Sequence, residues 1–269
     1  MSKIRKPAVS DLFYPADPER LKQMVTGYLE SVGPGGDPPK GVIAPHAGYI
    51  YSGPIAASAY ARLVSVGNKI NRVVLLGPSH RVPFYGLAIS EADYFRTPLG
   101  DIPLDHQTIQ TLQDLPQVIR LEAAHANEHS LEVQLPFLQL VLDKFKLIPL
   151  VVGDATGEQV AEVLTRLWGG DETFIVISSD LSHYHDYLTA QRMDQATSEA
   201  IVMLHPDALG FDDACGRIPI QGFLLEAMRM GLQGEFVDLI NSGDTAGSKD
   251  QVVGYGAYTF SGSTIQVPG

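Results

Sequence analysis

Residues 41–53 read GVIAPHAGYIYSG, and they set a histidine where a short apolar run ends and a helix is about to begin. Val42, Ile43 and Ala44 have the pattern of a buried strand. Pro45 has no N–H with which to continue a ladder, so His46 falls in the loop with Ala47 and Gly48. Pro54 suits the first turn of a helix predicted over 54–66. The same grammar recurs in RVVLLGPSH (72–80), where the run Val73 to Leu76 stops at Gly77-Pro78 and delivers His80. It recurs again where FIVISS (174–179) runs into Asp180-Leu181-Ser182-His183-Tyr184-His185. Ligands of open α/β sheets bind beyond the carboxyl ends of the strands, so three strands that each end near an imidazole point to one convergent cleft.

Strand and helix signals alternate on both sides of these runs. Asp17-Pro18-Glu19 combines a cap, a first-turn proline and an acid at the positive helix end, and predicts a helix to about Ser31. KLIPLVV (146–152) is a further buried strand, followed by the capping-box spacing Thr156 to Gln159 and a helix to about Trp168. Helices are also predicted over 105–115, 131–145 with a break or restart at Pro136, 189–204 and 219–231. Short strands are predicted at 87–90 and 252–260, and 94–103 reads as loop. This alternation predicts one α/β domain over 1–269, in three layers, with a mainly parallel central sheet and helices on both faces.

The totals exclude several classes of function. Nineteen basic against 31 acidic residues leave a formal charge of −12, which repels nucleic-acid backbones and anionic lipid surfaces. Lys3, Arg5 and Lys6 are the densest basic group and read as a chain terminus rather than a nucleic-acid contact. No apolar run reaches the ~18 residues of a membrane span, and no charged-then-apolar leader opens the chain. A single cysteine, Cys215, excludes an internal disulfide and fits a reducing compartment. The expected location is cytoplasmic.

His46 and His80 each follow a strand-like run and a proline, where a side chain is held firmly and faces a cleft. Each is either a ligand or acid–base imidazole, or a loop histidine bonded to a carbonyl. Asp180 either accepts a ring N–H and orients an imidazole, with His183 as acid or base, or caps a turn. Cys215 is either a buried apolar thiol or, as thiolate, a nucleophile or metal ligand. His125 to His129 spells HANEH, a literal match to an inverted zinc-peptidase motif, which requires a helix where the passage reads as polar loop.

Read in order, PHAGY, GPSH, EHSLEVQLPF, SSDLSHY, CGRIPI and VGYGAY resemble the Memo family, known in prokaryotes as AmmeMemoRadiSam system protein B. The resemblance spans nearly the whole chain. It implies a fold related to class III extradiol ring-cleaving dioxygenases, whose metal is non-haem iron. It implies a metal site of His46, His80 and Cys215, catalytic roles for His183 and Asp180, and cleft or supporting positions for Tyr49, Glu128, His129, Glu132 and His185. A thiolate in place of the dioxygenase carboxylate shifts metal preference toward copper or zinc, so the expected cofactor is iron or copper, with zinc as a further candidate. The implied activity is redox chemistry, dioxygenase-like, on an unknown small molecule. The competing readings are a non-catalytic module that holds a peptide or partner in the former enzyme cleft, and a metal-free hydrolase or transferase with Cys215 as nucleophile. Radical-SAM and AMMECR-type proteins are the partners that the resemblance implies.

Overall fold

The computed structural model describes residues 2–33 and 35–262. The chain opens with β1 (Ile4–Arg5) and α1 (Pro18–Val32), whose start is fixed by Asp17 accepting the Arg20 N–H at 2.8 Å. Next come β2 (Gly41–Ala44), α2 (Tyr49–Tyr60), β3 (Arg72–Pro78) and β4 (Leu87–Ile89). The middle of the chain is cut into short pieces: β5 (Tyr94–Thr97), β6 (Gly100–Pro103), α3 (His106–Gln110), β7 (Val118–Arg120), α4 (Glu122–Ala126) and α5 (Leu135–Val141). Regular alternation resumes with β8 (Lys146–Val152), α6 (Gly157–Leu167), β9 (Thr173–Ser178), β10 (His183–His185), α7 (Tyr187–Val202) and α8 (Arg217–Arg229). Two long strands, β11 (Leu232–Asn241) and β12 (Val252–Gly262), close the described chain.

β2, β9, β3 and β8 lie side by side and parallel in the centre of one large sheet. Buried on both faces, they need no polar alternation, which is why their sequences are continuous apolar runs. The flanks are largely antiparallel: β12 pairs β2, with β10 and β11 on β12, and β4 pairs β8, carrying β7 parallel on its far edge. Helix α8 packs on β3 and β9 and against α6, while α1, α2 and α5 form the other layer and α7 covers β11 and β12. This is the three-layer α/β arrangement read from the alternation of runs.

Several elements differ from the sequence reading. α2 starts at Tyr49, five residues before Pro54, because Tyr49 and the run from Ile55 to Tyr60 are buried and that burial outweighs one lost backbone bond. Pro54 leaves the carbonyl of Ile50, an exposed residue, without its helical partner. Residues 94–103 form the hairpin β5–β6 rather than a loop, with Gly100 at φ +128° closing the turn. The helix predicted over 131–145 is reduced to a 3₁₀ turn and α5, the restart coming at Pro136. β10 and β11 were not foreseen: one is three residues long, and the other carries polar residues on a half-exposed edge.

The N-terminal arm is bound to the body by a buried ion pair. Arg5 pairs with Glu132, and the two side chains are 3% and 0% exposed. Arg5 also donates to the carbonyls of His125 at 3.0 Å and Glu128 at 2.6 Å. Glu132 accepts the backbone N–H groups of Ala8 and Val9 and the Tyr14 hydroxyl. Glu132→Gln leaves the Arg5 charge buried without its counter-ion, so a loss of about 3–5 kcal/mol is expected in urea unfolding. A loss under about 1 kcal/mol would contradict this role for the pair.

Candidate metal centre

Because β2, β9 and β3 are parallel, their carboxyl ends lie along one edge of the sheet. Ala44 is opposite Ser178, and Leu76 is opposite Ile177. His46 and Asp180, each two residues past its strand partner, therefore meet across the gap: the His46 N–H donates to Asp180 Oδ1 at 2.7 Å. His80 follows the end of β3 by two residues. The rings of His46 and His80 stand edge to face with centroids 5.1 Å apart.

Cys215 comes from a distant part of the chain, just before α8. Its N–H donates to the Asp180 carbonyl at 3.3 Å, and the Gly216 N–H donates to Ser179 Oγ at 2.9 Å. A Cβ on Gly216 would sit 2.6 Å from Ser179 Cβ, so glycine is what lets the start of α8 approach the end of β9. This brings Cys215 Sγ to 3.2 Å from His46 Nε2. One donor atom each from His46, His80 and Cys215 lies within 4.8 Å of the others.

The polar shell around the cluster assigns the protons on both rings. Ser178 donates its hydroxyl hydrogen to the Ser130 carbonyl at 2.5 Å and accepts from Gln134 Nε2 at 2.8 Å. The remaining contact, His46 Nδ1 at 3.0 Å, must then be a ring N–H donating to Ser178, which leaves the His46 Nε2 lone pair bare toward Cys215. His80 Nδ1 lies 2.9 Å from Glu128 Oε1, and an ionised carboxylate only accepts, so His80 also carries its proton on Nδ1 and offers Nε2. Burial and the neighbouring imidazoles hold His46 well below its usual range, so it is neutral at pH 7.

Glu128 is buried, which by itself would raise its pKa. Hydrogen bonds from the His80 ring and backbone and from Ser130 outweigh that and bring it down to about 2. Asp180 goes the other way: burial pushes it up to about 7, only partly offset by the N–H groups of His46 and Ala47. Burial, then the Asp180 carboxylate, push the Cys215 thiol up to about 12. Without a cation the thiol keeps its proton; a metal ion bound between the two bare nitrogens and the sulfur would remove it. Two imidazoles and a thiol are a borderline-to-soft donor set that fits iron, copper or zinc.

The other residues singled out from sequence fall into distinct places. His129 stacks on His80 with centroids 4.5 Å apart and lies 5.3 Å from His46, with Phe13 on it at 4.9 Å. His183 begins β10, half-buried, its pKa lowered chiefly by burial against a bond at the Leu181 backbone. Tyr184, at φ +62°, is 72% exposed between His183 and His185. His185 ends β10, half-buried. Glu132 gives both oxygens to the N-terminal arm, and Tyr49 is a core residue whose hydroxyl donates to the Val133 carbonyl at 2.6 Å. These two support the cluster from behind rather than line it. The HANEH string makes no zinc-peptidase site: α4 ends at Ala126, and His125 Nε2 reaches the Ala88 carbonyl at 3.0 Å, away from His129. Ser178 and Gln134 were missed by the sequence reading. Their signal was a polar side chain inside an apolar run, FIVISS and EVQLPF.

A cavity of about 380 Å³ opens on Cys215, bordered by Ser79, Phe84, Ala214 and Arg217. No helix among the described residues is long and apolar enough to cross a membrane.

A family model described as Memo-like protein matches residues 5–259. Among curated relatives, a MEMO1 family protein of Methanopyrus kandleri is 36% identical, with 95% of this chain and 98% of the relative covered. One of Saccharolobus solfataricus is also 36% identical, covering 95% and 99%. One of Methanocaldococcus jannaschii is 34% identical, covering 95% and 98%.

With its thiol held protonated, Cys215 in the metal-free protein is expected to react with iodoacetamide at pH 7 at least ~100-fold more slowly than a free cysteine, and faster as pH rises. Intact-mass spectrometry over a pH series measures this. Labelling at the rate of the unfolded chain would show that the thiol is not held this way.

Proposed function

The chain belongs to the Memo family, and on that premise we propose that it binds one iron or copper ion through His46, His80 and Cys215 and performs redox chemistry on a small molecule in the adjoining cleft. The observation that carries the reading is the orientation of the two imidazoles. Both have Nδ1 tied down, His46 by Ser178 and His80 by Glu128, so both turn the free nitrogen to the centre that also receives the single thiol. Such outer partners orient metal-ligating histidines and raise their basicity. When bound, iron or copper supplies a Lewis-acidic, redox-active centre.

The protein's own groups account for the remainder of the reading. Cys215 gives up its thiol proton on metal binding, so affinity falls as pH falls. Asp180, pushed up to about 7, exchanges a proton near neutrality beside the cluster. His183, half-buried at the start of β10, is the acid or base toward substrate. The thiol at about 12 weighs against the metal-free alternative, in which Cys215 would need to be a thiolate unaided. The same reading places the protein in the cytoplasm, where a single reduced cysteine is at home.

Purification without oxygen and mass-spectrometric measurement of iron, copper and zinc test it. His46→Ala, His80→Ala and Cys215→Ser are each expected to lower bound metal ~10-fold or more, and Glu128→Gln to weaken affinity ~10–100-fold by freeing the His80 ring. Unchanged metal content in all three ligand variants would overturn the proposal.

A further inference from the structure

His129 is the one imidazole of the cluster that the surrounding shell leaves without a partner. Among the described residues, its Nδ1 is buried and makes no hydrogen bond, although Glu128 Oε1 lies only 3.3 Å away. Around it the polar groups are otherwise satisfied: His46, His80, Ser130, Gln134 and Ser178 all have partners. An orphaned buried polar atom in such a shell calls for an explanation, and an ion is one of the few available. A ring nitrogen that faces a carboxylate without bonding to it is in an unfavourable position unless positive charge lies between them.

The spacing fits such a charge. Glu128 Oε1 is 2.9 Å from His80 Nδ1 and 3.3 Å from His129 Nδ1. Oxygen and nitrogen donors that bind a divalent ion at ~2.0–2.2 Å in neighbouring positions are about 2.9–3.4 Å apart. One donor atom each from His80, Glu128 and His129 lies within 4.8 Å of the others. We propose that Glu128 and His129 hold a second divalent cation, with His80 as the ligand shared between it and the first site, so that the centre is dinuclear. The cation takes the place of the proton now on His80 Nδ1. That proton leaves to solvent, one per second cation bound, and the His80 ring then bridges the two ions as imidazolate. Glu128 is relieved of one of its donors and becomes a ligand. The ligand set is nitrogen and oxygen only, harder than the first site with its sulfur, so the two positions differ in metal preference.

This inference goes beyond the single-ion reading and rests on it only through His80. Cobalt(II) separates the two, because a thiolate-bound ion shows a sulfur-to-metal charge-transfer band that a nitrogen–oxygen site lacks. The metal-free full chain is titrated with cobalt(II) without oxygen, following that band, total bound cobalt and released protons. The wild type is expected to bind about two equivalents, the band growing with only one of them. His129→Ala and His129→Asn are both expected to bind about one equivalent with the band intact, which also shows that each variant is folded. Wild type saturating at one equivalent, or either His129 variant still binding two, would overturn the second site. The first site is judged separately, by loss of the band in Cys215→Ser.

Discussion

The parallel register of β2, β9 and β3 is the constraint from which the candidate site follows. With Ala44 opposite Ser178 and Ile177 opposite Leu76, the three ladders run out at nearly the same height. The residues just beyond them are then bound to be neighbours whatever their side chains. Pro45 follows β2 without a donor to extend its ladder and Pro78 closes β3, and a histidine comes one residue after the first and two after the second. The chain then has only to bring one distant residue, Cys215, to that edge. It does so through backbone bonds at Asp180 and Ser179, with no side chain at Gly216 to stand in the way.

A second level of order comes from polar groups that have nowhere else to bond. Ser178 is buried at the end of an apolar strand, with its hydrogen committed to Ser130, and that commitment decides which nitrogen of His46 bears a proton. Glu128 accepts the backbone N–H groups of His80, His129 and Ser130 as well as the His80 ring, so one carboxylate fixes both the path of the chain and the orientation of the imidazole. The segment carrying Glu128 is itself tied by Arg5, whose guanidinium joins the carbonyls of His125 and Glu128 to the Glu132 carboxylate. The N-terminal arm thus stabilises the segment that carries Glu128 from behind. A low dielectric makes each of these bonds strong and any unpaired member costly, which is why the solitary Nδ1 of His129 stands out.

Much of the fold was legible because buried parallel strands have a distinctive composition. VVLL, LIPLVV and FIVIS need no period to be recognised, and the capping signals at Asp17 and Thr156 mark helix starts that the structure has. Legibility failed where burial overrode local signals. Pro54 looked like a helix start but lies inside α2, since tertiary burial of Tyr49 and of Ile55 to Tyr60 outweighs one missing backbone bond. The hairpin over 94–103 and the edge strand β11 carry mixed polar residues whose strand character comes from the partners they pair with.

The order of strand, proline and histidine, the single cysteine and the six motifs are properties of the chain read along its length, and they suffice for the fold class and the family. Which nitrogen each imidazole offers, that His46 meets Cys215 across 169 positions of sequence, and that His125 turns away while His129 joins the cluster were decided only in three dimensions. The physical reason is that a hydrogen bond or a metal site depends on distances of about 3 Å between side chains. Sequence spacing controls such distances within a helix or along a strand, whereas between elements they are controlled by register and packing.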